Sequence, residues 1–161
     1  ARTITSVGQT FPPVAVLALA VPVLGFGAGP TLVALFLYGL LPVFENALAG
    51  LTNQSPQVTE AALGTGMTGS QRLWQVELPL AFPVILTGIR IVLVQNIGLA
   101  TIAALIGGGG FGVFVFQGLG QNATDLVLLG ALPTVALAFA SATVLDAAID
   151  FASVSPKGTA P

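Results

Sequence analysis

Apolar runs long enough to cross a lipid bilayer take up most of this chain, and that property limits it to a small set of folds. A spanning helix needs about 20 predominantly apolar residues. Four stretches qualify, at about 4–24, 30–51, 80–106 and 126–149. Hydrocarbon offers no water to backbone N–H and C=O groups, so segments of this kind satisfy them internally, as helix. Composition agrees: the 161 residues are 55% hydrophobic and 6% charged, against roughly 25% charged in a soluble domain. Mean hydropathy is +0.97. The expected fold is all-α, a polytopic transmembrane helix bundle of about four spanning helices over residues 1–152, with 153–161 a small, polar, disordered tail. The first run is read as a retained helix rather than a cleaved signal, because further spans follow it and Pro12, Pro13 and Pro22 interrupt it.

What is missing narrows the function. Four Lys and Arg and a net charge of −2 cannot neutralise a nucleic-acid backbone, so no nucleic-acid partner is expected. There is no Cys and no His. The usual zinc constellations and Ser-His or Cys-His dyads are therefore excluded, and no catalytic residue or metal site is assigned. The glycines Gly107, Gly108, Gly109 and Gly110 lack a following Lys-Ser or Lys-Thr and a preceding strand, so they do not read as a phosphate loop. They read instead as a flexible outward turn, a gate or a docking surface.

One polar stretch stands among the apolar runs. Thr52 to Pro56 reads as a loop, with Ser55 placed as a helix N-cap and Pro56 at the first helical position. A short helix over about 56–63 should end at Gly64 and Gly66, where positive φ is easiest for glycine. Thr68 and Gln71 have capping-box spacing, which predicts a second short helix from Gly69 to about Val76. The third span should begin only after Pro79. Downstream of the glycine turn, the run Val113–Leu119 is too short to span and is expected to lie at the interface. If residues 56–79 are cytoplasmic, then Arg2, Arg72 and Lys157 all fall on the inner side and the two outward loops carry no Lys or Arg, as the positive-inside rule asks.

Glu60-Ala61-Ala62, Gly66 after three intervening residues, and Val76-Glu77-Leu78-Pro79 resemble the cytoplasmic signature loop of the membrane subunits of bacterial ATP-binding-cassette importers. Leu41-Pro42-Val43, Asn46, Gly50-Leu51, Gly88-Ile89-Arg90, Ile97-Gly98, Ala100-Thr101, Ile106-Gly107, Gly109-Gly110 and Gly130-Ala131 extend the likeness to permeases of glycine betaine, choline and carnitine importers. Methionine-importer permeases share the general pattern. Two departures are Val76, where Ile is commoner, and Glu45, where a basic or neutral residue is expected. Such permeases also carry a further helix before the first span here, so the resemblance implies a chain lacking an N-terminal helix.

The resemblance implies a bacterial cytoplasmic (inner) membrane permease that lines a pathway for a small compatible solute. It implies as partners a separate ATPase subunit, an external solute-binding protein (periplasmic or lipid-anchored), and a second permease subunit, identical or not, in membrane lipid. ATP would be bound by the ATPase, with no cofactor on this chain. Coupling would run through Glu60, Ala61, Ala62, Gly66, Arg72, Trp74, Leu78 and Pro79. Small Ala61 and Ala62 allow close helix approach, Gly66 gives the turn, and Glu60 offers a carboxylate. Trp74 is either an amphipathic anchor in that contact or an interfacial belt residue.

Arg90 and Glu45 fall inside the cytoplasmic half of their spans, where a charge calls for a partner or a snorkelling route. They either pair, within one subunit or across a dimer, or reach cytoplasmic water separately. Gln95 and Asn96 lie near mid-membrane and either line the pathway or bond between helices. In other classes, a broken-helix secondary transporter or a non-transporting scaffold is compatible with the composition, although neither an inverted repeat nor a mid-depth acid is visible.

Overall fold

The computed structural model describes residues 12–153, and all of their regular structure is helical. Helix α1 runs over Pro13–Leu24 and α2 over Ala28–Thr52. The short helices α3 (Pro56–Gly64) and α4 (Gly69–Arg72) follow, then a π-turn at Leu73–Glu77. Helix α5 spans Leu78–Ala103 and ends in a 3-10 turn, Ala104–Ile106. Helices α6 (Gly112–Gln121) and α7 (Thr124–Ser153) close the described chain. Three helical segments are long and apolar enough to cross a membrane, Ala28–Thr52, Gly69–Ile106 and Thr124–Ser153, with α1 a shorter apolar helix beside them. The expected start of the first span near Ile4, the basic residues Arg2 and Lys157, and the tail beyond Ser153 lie outside the described residues.

The bundle is built on an antiparallel seam between α2 and α5, and small residues set its register. Gly50 faces Ala81 and Val84, Gly88 faces Asn46 and Pro42, and Gly39 faces Val92 and Asn96. A Cβ on Gly88 would lie 2.7 Å from that of Asn46. This is backbone-close packing of the kind membrane helices use where no hydrophobic force separates lipid from protein. Helix α7 lies on another side of α5, also antiparallel: Arg90 pairs with Asp146 near one end, and Thr101 and Thr134 edge a common pocket toward the other. At the end of the bundle away from the 56–79 loop, Leu17, Ala34, Leu99 and Ala103 form a buried cluster joining α1, α2 and α5. Along the spans many large apolar side chains, among them Phe36, Leu40 and Phe139, remain exposed.

Two expectations change. The second short helix does not stop near Val76, and Pro79 does not separate it from the third span; a single helical path runs over Gly69–Ile106. A proline lacks the N–H for its own helical bond, and its ring collides with the carbonyl four residues back. Here the π-turn widens the ladder just ahead of Pro79, with the Leu78 N–H bonding to the Leu73 carbonyl five residues back, so the helix continues. The segment after the glycine turn, read as the seven residues Val113–Leu119, is a ten-residue helix folded back along the first turns of α7. Gly118 meets Val127 and Ala123, and Gly130 meets Phe111 and Val115. Asn122, at φ 54°, makes the tight reversal.

Candidate functional site

The loop between α2 and α5 is assembled from local signals. Ser55 occupies the N-cap of α3 and Pro56 its first position; the Ser55 hydroxyl donates to Gln57 Oε1 at 3.1 Å rather than capping the backbone. The helix ends in a Schellman closure. Met67 N–H donates to the Ala62 carbonyl (3.2 Å) and Gly66 N–H to the Leu63 carbonyl (2.9 Å), with Gly66 at φ 77°. Nothing crowds the Gly66 Cα, so glycine is required there by backbone conformation and not by space. The capping box closes α4: Gln71 N–H donates to Thr68 Oγ1 at 3.3 Å, and Thr68 N–H to Gln71 Oε1 at 2.9 Å.

Side chains on this loop divide into two sets. Glu60, Ala61, Leu63 and Trp74 are exposed, and Trp74 shows 65% of its surface. Ala62, read with Ala61 as allowing close helix approach, is buried against the chain itself. Arg72 Nε donates to Glu77 Oε1 at 2.6 Å, bracketing the π-turn. Gln54, at the end of the α2 connection, donates its Nε2 to the Glu77 carbonyl at 2.6 Å across 23 positions of chain, and more weakly to the Gly50 carbonyl at 3.4 Å. Leu78 is half-buried and Pro79 exposed where α5 begins. Helix α3 makes no extensive contact with any span. A pocket of about 340 Å³, lined by Gly50, Gln54, Val58 and Leu80 among others, separates it from the base of α5.

Within the spans, the partner the structure gives Arg90 inside the subunit is Asp146 on α7 and not Glu45, whose pairing with Arg90 the sequence left open against separate access to water. Nη2 donates to Oδ2 at 2.9 Å, and Nε lies 2.5 Å from Oδ1, in ion-pair range but out of line for a hydrogen bond. Helical phase explains the choice. Gly88 faces α2, and a residue two places on is turned by about 200° at 3.6 residues per turn, so Arg90 looks toward α7. Gln95 is exposed, pointing away from the packed interior. Asn96 points into the seam, where its Nδ2 donates to the Leu35 carbonyl at 3.3 Å while its buried Oδ1 has no partner among the described residues.

The glycine turn is a second Schellman closure, with Gly107 at φ 82° and Gly108 N–H on the Ala103 carbonyl at 2.9 Å. Gly109 and Gly110 also have positive φ. Gly108 packs where a Cβ would touch Thr31 Oγ1 and the Ala103 carbonyl. A pocket of about 230 Å³ opens beside the turn, edged by Thr31, Thr101, Thr134 and Phe111. Among the described residues no group of acidic, His or Cys side chains is placed to hold a metal ion.

Three residues of this arrangement were not singled out from sequence. Asp146 and Gln54 act over 56 and 23 positions of chain, beyond any local pattern. Glu77 stood inside the signature, and only the π-turn brings its carboxylate to Arg72.

Residues 1–153 match the family model of the binding-protein-dependent transport system inner membrane component. The chain belongs to that family. It is 48% identical over 142 residues to an osmoprotectant import permease protein of Salmonella typhimurium, covering 88% of this chain and 60% of that one. It is 41% identical over 150 residues to a glycine betaine/carnitine/choline transport system permease protein of Bacillus subtilis, covering 93% and 68%. A carnitine transport permease protein of Listeria monocytogenes is 43% identical over 135 residues, covering 84% and 62%. The chain thus spans between 60% and 68% of the length of these relatives. Its fold matches a solved structure of the MetNI methionine ABC transporter in inward-facing conformations, with a TM-score of 0.78 at 21% identity over 94% of this chain and 73% of that one. Family membership places the protein among the inner-membrane components of binding-protein-dependent transport systems.

Proposed function

We propose that this protein is the permease subunit of an ATP-driven importer that carries a small compatible solute of the glycine betaine, choline or carnitine kind. An external binding protein delivers the solute, and a separate ATPase drives the cycle through the loop at residues 56–79. The observation that carries the reading is the form of that loop. The Schellman-closed helix α3 presents Glu60, Ala61 and Leu63 outward while making little contact with the spans, and Trp74 stands exposed on the π-turn that follows the capped helix α4. An exposed carboxylate, small residues and an aromatic anchor suit docking into a cleft of another subunit. ATP is held by that subunit, and this chain binds no cofactor.

The cargo class draws on the names of the relatives in Salmonella, Bacillus and Listeria. A methionine-type cargo rests only on a fold likeness at 21% identity. Exposed Gln95 is suited to line a pathway completed by a second permease subunit, identical or related, while Asn96 bonds between helices in the seam. The turn at Gly107–Gly110, with three of its four residues at positive φ, is suited to an outer gate facing the binding protein.

The test is copurification with an ATPase subunit, stimulation of its hydrolysis, and ATP-dependent uptake of labelled glycine betaine, choline and carnitine. A scaffold or a secondary transporter would neither hold nor stimulate an ATPase. Gly66→Val should insert normally while hydrolysis no longer drives uptake; normal uptake by that variant would sink the coupling assignment.

A further inference from the structure

From the bond between Gln54 and the last residue of the π-turn, Glu77, we infer that Gln54 is a positioning residue for coupling, the tie that fixes the docking loop to the base of α5. The inference rests on the proposed importer function and adds a residue outside the signature loop.

The geometry is specific. Gln54 Nε2 stands 2.6 Å from the Glu77 carbonyl and 3.4 Å from the Gly50 carbonyl. Both neighbours are acceptors, so only the amide nitrogen can face them, and the orientation of the side chain is settled. Its Oε1 is buried without a partner among the described residues. A buried amide left half-used is a cost, and glutamine here serves through its donor. The bond lands on the last residue of the π-turn, the same residue whose carboxylate is held by Arg72 at 2.6 Å. Gln54 therefore fastens the end of α2 to the one place where the loop and α5 become a single helix.

Little else holds the loop at this point. The pocket beneath α3 leaves it unpacked against Leu80 and Val84, and α3 touches no span extensively. A push on α3 could be lost as a swing into that space. With Gln54 bonded to Glu77, the push is carried into α5.

The test uses the natural absence of cysteine, which allows Gln57→Cys on α3 and Leu93→Cys on α5 to carry spin labels. Gln54→Met keeps the length and removes the donor; Gln54→Lys restores a donor that reaches the same carbonyl. In the full chain in lipid nanodiscs, the Met variant should broaden the distance distribution between the labels and the Lys variant should narrow it again. In liposomes with the ATPase, the Met variant should keep ATP hydrolysis and lose import per ATP by about fivefold, the scale of one hydrogen bond, with recovery in the Lys variant. An unchanged distance distribution overturns the inference. So does a broadened one with wild-type import per ATP, or a parallel fall in hydrolysis and import caused by loss of bound ATPase. If the wild-type complex shows no ATP-dependent import, the importer reading fails, and the distance measurement still decides whether Gln54 holds the loop.

Discussion

The seam between α2 and α5 and the loop that joins them are made of the same chain and held in opposite ways. The seam is closed by missing side chains: Gly39, Gly50 and Gly88 let two backbones approach until the next residue leaves no gap. The loop is closed by polar bonds and backbone conformation, at the Thr68–Gln71 box, the Gly66 turn and the Arg72–Glu77 pair. Steric packing is unforgiving and stays as it is. Hydrogen bonds beside water are individually worth about 1 kcal/mol and can be exchanged. The division suits a protein in which one part stays rigid while another takes a push.

That contrast can be broken in graded steps. Gly88→Val should be the most damaging, since its Cβ would press on Asn46 and on the Pro42 carbonyl. Overpacking of this kind costs about 3 kcal/mol, and thermal unfolding in detergent should show a clear fall in Tm. Gly66→Val should cost about 1–2 kcal/mol through its left-handed φ alone. Because no atom crowds that position, the loss should stay local, seen as faster hydrogen exchange over 60–72 with the Tm of the bundle unchanged. Arg90→Ala, Asp146→Ala and the double variant form a cycle whose coupling should be about 1 kcal/mol, the scale of a polar bond between two membrane helices. A coupling near zero would mean that the pair adds nothing to the α5–α7 contact. Thr68→Ala should be the mildest, about 0.5 kcal/mol from one lost cap, read as fraying of α4 without any change in Tm. A drop in Tm with either loop variant would erase the distinction between seam and loop.

Local chemistry made much of this legible in advance. Span positions followed from apolar length, and the Ser55-Pro56 start, the Gly66 turn and the Thr68–Gln71 box each depend on residues within a few places of one another. What sequence did not disclose depends on phase or on distance along the chain. Pro79 read as a break because a proline in a regular ladder is one; the π-turn that absorbs it leaves no compositional trace in Leu73–Glu77. Depth made Glu45 a candidate partner for Arg90, yet depth says nothing about which side of a helix a residue occupies, and within the subunit rotation gave it Asp146. The fold-back of α6 on α7 rests on Gly118 and Gly130, which look like any other glycines in a membrane chain until their neighbours are known.

The π-turn also bears on how the chain tolerates changes of length. A wide turn is an ordinary helix carrying one surplus residue, and the surplus is taken up within Leu73–Glu77 without disturbing the faces above and below it. Removing one exposed member, such as Gln75, should leave the glycines of α5 in register with α2 and confine the damage to the turn, where the carbonyl four residues before Pro79 would again meet its ring. The same deletion a few residues later, inside the seam, would turn each of those contacts by about 100° and dismantle the bundle. Length variation at this junction should therefore gather in the five residues of the turn and be absent from the helix that follows.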